Sequence, residues 1–223
     1  KVTLYEKTDK LGGVFIAAAA PSFKEKDRDL IAWYNREIKK YPIDIKLNTE
    51  VKDVKSLNAD EIIVATGAVA KNIPIKNIEN TVEAVDYLLG NKPVGENVVI
   101  VGGGLTGCEI AYDLFLQGKK PTIIEMQNDL ITTPGICLAN TSFLRDCFKA
   151  NNVPVHLETK LNAINDGSVT VTDKDGKTVQ GEAGDLIYAP EGIEYTARFY
   201  NFENKDSCTV GINFRLFDEA VFG

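Results

Sequence analysis

The sequence holds a single histidine, His156, and its four cysteines, Cys108, Cys137, Cys147 and Cys208, form no C-x-x-C pair. Disulfide exchange between neighbouring cysteines is thereby excluded, and the spacing fits neither a zinc site nor an iron–sulfur run. His156 falls between apolar Val155 and Leu157 on an alternating stretch, so it is expected to face solvent and stay out of catalysis. With no nucleophile, histidine pair or metal cluster in view, no catalytic side chain is assigned. Any redox chemistry would be carried by cofactors that the protein positions. The thiols are expected to be reduced and mostly buried, in a cytoplasmic setting.

Basic residues are scarce as well, with 25 Lys and Arg against 32 Asp and Glu for a net charge of −7. That sign opposes nucleic-acid phosphates, so no nucleic-acid partner is expected. No apolar run reaches the ~18 residues of a membrane span, and neither a membrane role nor a secretory leader is expected. What is present, 44% hydrophobic and 26% charged residues, suits a chain that buries a core.

Three segments recur in the same order. Val2-Thr3-Leu4-Tyr5-Glu6 is echoed by Pro121-Thr122-Ile123-Ile124-Glu125, each a strand ending on an acid. The alternating Pro42–Glu50 stretch returns as Pro154–Thr159, and Asp60–Gly67 returns as Asp185–Gly192. Helices over Asp29–Lys40 and Thr141–Asn151 fall between the strands, the second with Phe143, Leu144, Cys147 and Phe148 on one face and Thr141 or Ser142 as its cap. Gly90–Gly95 is rich in turn formers and reads as the boundary between two lobes. Lys1 is not a methionine and Val2–Glu6 already reads as a buried strand, so a piece of a longer protein is expected.

The strongest chemical signal is Asn97-Val98-Val99-Ile100-Val101-Gly102-Gly103-Gly104-Leu105-Thr106-Gly107-Cys108-Glu109, a strand that opens through G-x-G-x-x-G into a helix. Gly102 permits the tight turn, Gly104 lets a pyrophosphate approach the backbone, and Gly107 lets helix and strand pack closely. The helix start then offers N–H groups to an anion. Glu125 ends the next strand about 20 residues on, where a carboxylate accepts both ribose hydroxyls of NADH. A 2′-phosphate would meet its charge, and Met126, Gln127 and Asn128 supply no cation to offset that. Glu6 holds the equivalent place in the first lobe, with no glycine loop before it. Gly12 and Gly13 follow, either approaching a cofactor or making a plain turn.

Together, Leu4–Lys7, Lys10-Leu11-Gly12-Gly13, the Ala17–Pro21 run, Val64-Ala65-Thr66-Gly67 and the Gly102–Glu109 loop resemble one known region. It is the C-terminal FAD- and NAD(P)-binding region of the 2,4-dienoyl-CoA reductase, 2-enoate reductase and trimethylamine dehydrogenase family, which belongs to the old yellow enzyme-like NADH:flavin oxidoreductases. The resemblance covers residues 1–192. It implies an α/β fold of two Rossmann-like, doubly wound nucleotide-binding lobes, the first truncated at its N-terminus. Residues 1–92 with 195–223 would form the FAD-type lobe and residues 93–194 the NAD-binding lobe. It implies NADH at Gly102, Gly104, Leu105, Thr106, Gly107, Glu109 and Glu125, and a flavin-type site touching Glu6, Lys7, Gly12, Gly13, Ala65, Thr66 and Gly67. An upstream FMN and iron–sulfur barrel would receive the electrons and reduce an enoate or dienoyl-CoA double bond.

Two departures argue against FAD in this chain: the absent first glycine loop, and Gly211-Ile212 where the family carries Gly-Asp. The turn Ala189-Pro190-Glu191-Gly192 is one residue longer than the family's Ala-x-Gly. Residues 195–223 carry seven aromatic side chains and read either as internal packing or as an interface of a homo-oligomer. The second reading of the whole is an ADP- or NAD-binding sensing module without turnover.

Overall fold

The computed structural model describes residues 1–67, 69–70, 74–165, 168–182, 185–189, 194–201 and 212–215. In chain order, the strands and helices are β1 (Val2–Tyr5), α1 (Phe15–Ala18), α2 (Glu25–Glu37), β2 (Ile43–Lys46), β3 (Glu61–Val64), β4 (Val82–Glu83) and α3 (Ala84–Leu88). The chain continues through β5 (Asn97–Val101), α4 (Leu105–Leu116), β6 (Lys120–Ile124), α5 (Leu138–Ala150) and β7 (Val155–His156). It ends with β8 (Lys160–Asn165), β9 (Ser168–Thr172), β10 (Thr178–Glu182), β11 (Asp185–Tyr188), β12 (Glu194–Asn201) and β13 (Ile212–Arg215). Contacts divide these into two units. Unit 1 is Lys1–Ala20, Lys24–Ala68 and Glu194–Leu216; unit 2 is Pro21–Phe23, Val69–Ile193 and Phe217–Gly223.

Unit 2 is built on a parallel five-stranded sheet in the order β4-β11-β5-β6-β7. Asn97-Val98-Val99-Ile100-Val101 is a continuous apolar run because both faces of β5 are covered. Val98, Ile100, Ile123 and Ile187 point to one side and pack with Ile110 and Leu114 of α4 and with Leu144 and Phe148 of α5. Val99, Ile124 and Leu186 point to the other side and meet Leu161 and Ile164 of β8 and Val169 of β9. β8, β9 and β10 form an antiparallel meander that the sequence reading passed over. Its second turn is Asp173–Lys177, where the Asp173 carboxylate accepts the N–H groups of Asp175 and Lys177 at 3.0 and 2.9 Å and Gly176 takes φ of 75°.

The boundary expected at residues 90–95 lies inside unit 2, and the units divide near residues 68 and 193 instead. The reason is β4, which pairs with the edge of β11, and α3 behind it, whose Ala84 is buried in the same core. Pro21–Phe23 also joins unit 2. Ser22 donates its N–H and O–H to Asp113 Oδ1 at 2.7 and 2.6 Å, and the Phe23 ring packs at a tilt against Tyr112. Asp113, buried on α4, accepts Gln117 Nε2 at 2.8 Å on its other oxygen, which satisfies the charge. Nearby, burial pushes the Tyr87 phenol above its ordinary value; a hydrogen bond with Gln117 opposes this and the Asp113 charge adds to it.

The repeats show up as one hydrogen-bond pattern written twice. Glu6 N–H donates to the Lys46 carbonyl as Glu125 N–H donates to that of His156; Thr49 N–H donates to Glu6 as Thr159 N–H donates to Glu125; Asn48 N–H donates to Thr8 as Glu158 N–H donates to Gln127. Asn48 and Glu158 even share a left-handed φ, at 51° and 49°. β1 and β2 therefore correspond to β6 and β7, both pairs parallel.

The units differ in what surrounds these pairs. In unit 2, β5 lies between β6 and β11, whereas in unit 1 β1–β2 and β13-β12-β3 are separate sheets, with no described strand between β1 and β3. The cover differs accordingly. α5 buries Thr141, Leu144 and Phe148, while its counterpart α2 buries no residue, and Val2 and Ile63 remain 57% and 65% exposed.

Both helices begin earlier than expected. α2 starts at Glu25, with Glu25 and Asp27 favourably placed against the helix dipole. α5 starts at Leu138 with Cys137 as N-cap. Thr141 and Ser142 are therefore not caps; their hydroxyls donate back to the Leu138 carbonyl at 3.1 and 2.7 Å, as hydroxyls inside a first turn do. The turn after Ala189, Gly211 and most of the aromatic 195–223 segment lie outside the described residues. Among the described residues, no helix is long and apolar enough to cross a membrane, and no group of three or more His, Cys, Asp or Glu could hold a metal ion.

Candidate functional site

The glycine segment between β5 and α4 uses each glycine for a different reason. Gly102 takes φ of 113° and donates its N–H to the Ile124 carbonyl at 2.9 Å, and a Cβ there would fall on the Ala189 carbonyl oxygen. Gly107, on the first turn of α4, backs onto the Gly102 carbonyl, which a Cβ would overlap. Helix and strand approach this closely only without that atom. Gly107→Ala is therefore expected to cost about 1–3 kcal/mol by overpacking, visible as a lower midpoint in a far-ultraviolet dichroism melt; an unchanged midpoint would remove this packing role.

Gly104 is unlike both. It is the N-cap of α4 at φ −68° and ψ −178°, angles open to any residue, and it is buried. It supplies no side-chain cap, so the N–H groups of the first turn have no intrahelical or capping partner. Leu105 and Thr106 open that turn half-buried, and Glu109 lies one turn further along.

Glu125, directly after β6, is only 4% exposed. Its Oε2 accepts Gly103 N–H at 2.5 Å and its Oε1 accepts Gln127 N–H at 2.6 Å. The carboxylate thus bridges the glycine segment and its own turn. Each oxygen keeps a further lone pair for a hydroxyl donor. Sequence reasoning missed Gly103, which supplies one of these donors. A Cβ on Gly103 would lie 2.6 Å from Leu130 Cδ2 and 2.9 Å from Glu125 Cβ, so glycine is required there too. The available signal was the third consecutive glycine, one more than the motif asks for.

The other assigned residues lie in unit 1. Glu6, half-buried after β1, accepts Thr8 N–H and O–H on Oε1 at 2.7 and 2.8 Å, the same local closure that Gln127 gives Glu125. Lys7 is exposed beside it. Gly12 and Gly13, at φ of 132° and 50°, make the turn into α1, where Phe15 and Ile16 donate to their carbonyls. Ala17 and Ala19 beyond them are fully buried, and Arg28 Nη1 donates to the Ala19 carbonyl at 2.7 Å. Ala65, Thr66 and Gly67 follow β3 in exposed, irregular chain. His156 is exposed at the end of β7 and contributes only its carbonyl, to Glu125 N–H.

The chain is similar to known proteins. The chain is 42% identical over 158 residues to cinnamate reductase of Clostridium sporogenes, covering 70% of this chain and 24% of that one. It is 35% identical over 138 residues to an NADH oxidase of Thermoanaerobacter brockii, covering 58% and 21%. The chain thus spans about a quarter of the length of these curated relatives. Among solved structures, a 2-naphthoyl-CoA reductase superposes with a TM-score of 0.74 at 27% identity, over 84% of this chain and 29% of that one. Residues 48–195 match the pyridine nucleotide-disulphide oxidoreductase family, a span that includes β5, the three glycines, α4 and Glu125. By that match the chain belongs to this family of oxidoreductases.

Proposed function

We propose that unit 2 binds NADH, with the pyrophosphate over Gly102, Gly104 and the Leu105, Thr106 and Gly107 amides, Glu109 behind them, and the adenosine ribose on Glu125. The observation that carries this reading is the buried Glu125 carboxylate, locked by two backbone N–H groups at the edge of a glycine-rich helix start with no side-chain cap. A charge of that kind is kept out of water where it has hydrogen bonds to make. Bound nicotinamide supplies a hydride. The chain's own residues hold and orient the dinucleotide, and Glu125 excludes a 2′-phosphate by repulsion.

For FAD, unit 1 supplies a strand-end acid at Glu6, but its described residues hold no counterpart of the β5–glycine–α4 segment. These residues do not fit FAD by themselves. We infer that the whole protein, with FAD and FMN as carriers and a barrel upstream of this chain, uses NADH to reduce an enoate or dienoyl-CoA type double bond. The identity to cinnamate reductase supports that substrate class. Among the described residues, Cys108, Cys137 and Cys147 form no disulfide, which suits a reducing, cytoplasmic setting.

The test is calorimetry with NADH and NADPH on the wild type and Glu125→Ala. The wild type is expected to prefer NADH, and the variant to lose about tenfold or more of NADH affinity and most of the preference. Equal wild-type affinities for the two nucleotides would sink the reading. NADH oxidation with an artificial acceptor, with and without added FAD, then separates a reductase module from a sensing one.

A further inference from the structure

Arg145 belongs to none of the motifs above, yet its guanidinium reaches back from α5 to the loop that follows Glu125. Nε donates to Asp129 Oδ1 at 3.1 Å, and Nη2 donates to the Leu130 carbonyl and, at 3.4 Å, to that of Ile131. Asp129 Oδ1 also accepts the Leu130 N–H at 2.7 Å, so the loop is tied on both sides. Ile131 sits at φ of 50°, a left-handed conformation that a β-branched residue adopts only where its surroundings over-determine it. In that conformation its N–H donates to the Gly103 carbonyl at 2.8 Å. Gly103 in turn donates to Glu125 Oε2.

We propose that Arg145 is a positioning residue of the nucleotide site: it holds the 129–131 loop in its strained form, which fixes Gly103 by its carbonyl and so steadies the preceding peptide, whose N–H holds the Glu125 carboxylate. The inference rests on the ribose reading of Glu125. A planar guanidinium suits the task because it serves two carbonyls and a carboxylate at once, whereas an ammonium presents one compact charge. The Arg145 side chain keeps 30% exposure, so removing it opens no core cavity. Without it, Ile131 relaxes towards ordinary backbone angles, the Gly103 carbonyl loses the Ile131 N–H, Gly103 is free to turn about its Cα, and its N–H no longer orients Glu125. NADH suffers, because its ribose diol needs both oxygens presented. NADPH gains nothing from that carboxylate and is expected to bind as before.

The experiment measures NADH and NADPH dissociation constants in the full chain for the wild type, Arg145→Ala, Arg145→Lys and Glu125→Ala, with far-ultraviolet dichroism as the check on folding. Arg145→Ala is expected to weaken NADH about tenfold with NADPH unchanged, and Arg145→Lys, which preserves charge and fold, to move the ratio in the same direction by less. A purely structural role would lower both affinities together and leave the ratio alone, and that result overturns the proposal. If Glu125→Ala also leaves the ratio unmoved, the ribose reading itself has failed. If Glu125→Ala collapses the ratio and both Arg145 variants keep it, only the role of Arg145 has.

Discussion

Gly104→Val is expected to weaken NADH binding about a hundredfold or more, roughly 3 kcal/mol, while leaving the sheet and α4 in place. The extended angles of Gly104 are ones that valine adopts freely, so the backbone has no reason to move. The fold loses only the modest N-cap advantage of glycine over valine. The branched side chain, however, is expected to crowd the N–H groups of the first turn, in the space a pyrophosphate needs. Gly107→Ala shows the opposite balance, since its Cβ meets protein and not ligand. Paired titrations and melts of the two variants should therefore cross: one loses binding with its melt preserved, the other loses stability first. Equal loss of fold and binding in Gly104→Val would make Gly104 a packing residue.

Expressed alone, the 223 residues are expected to purify without flavin colour. Tight FAD binding needs a pyrophosphate loop and a carboxylate together, and unit 1 supplies Glu6 alone, with an exposed surface where unit 2 carries β5 and α4. Gly211-Ile212 stands where the family resemblance leads us to expect Gly-Asp, a second flavin contact. Because the contacts act jointly against the association entropy, two losses are worth on the order of a thousandfold or more in affinity. Absorbance near the flavin bands after gel filtration decides it. A stoichiometric yellow sample would mean that residues 195–223 complete the site.

The strand, glycine turn and helix were legible in the sequence because each rests on neighbours in the chain: an apolar run, φ-permissive residues, a 3.6-residue period. The two-lobe repeat was legible for the same reason, and its hydrogen bonds match residue for residue at Glu6 and Glu125. The burial of Glu125 was not, since a strand-end acid is solvated by default, and it is the fold, setting the Gly103 N–H on Oε2 beside the turn's own Gln127 N–H, that withdraws it from water. Arg145 was invisible because its partners lie more than ten residues away on a loop whose shape is tertiary. The 90–95 boundary misled because a two-residue strand, β4, carries too little pattern to be read, yet its pairing with β11 decides which unit the segment joins.

The bare helix α2 also governs how the chain melts. A 13-residue helix with no buried side chain draws little stability from packing, and helices of about this length are marginal in water. Unit 1 should open below the free energy that unfolds the five-stranded sheet, so the chain would lose structure in two stages with no single midpoint. The only tryptophan, Trp33, sits on α2, 46% exposed. Its emission therefore reports the first stage and is blind to unit 2. Tyr112, whose ring packs against both Phe23 and Phe143, is one of the unit 2 tyrosines, with Tyr87 and Tyr188, whose signal reports the second.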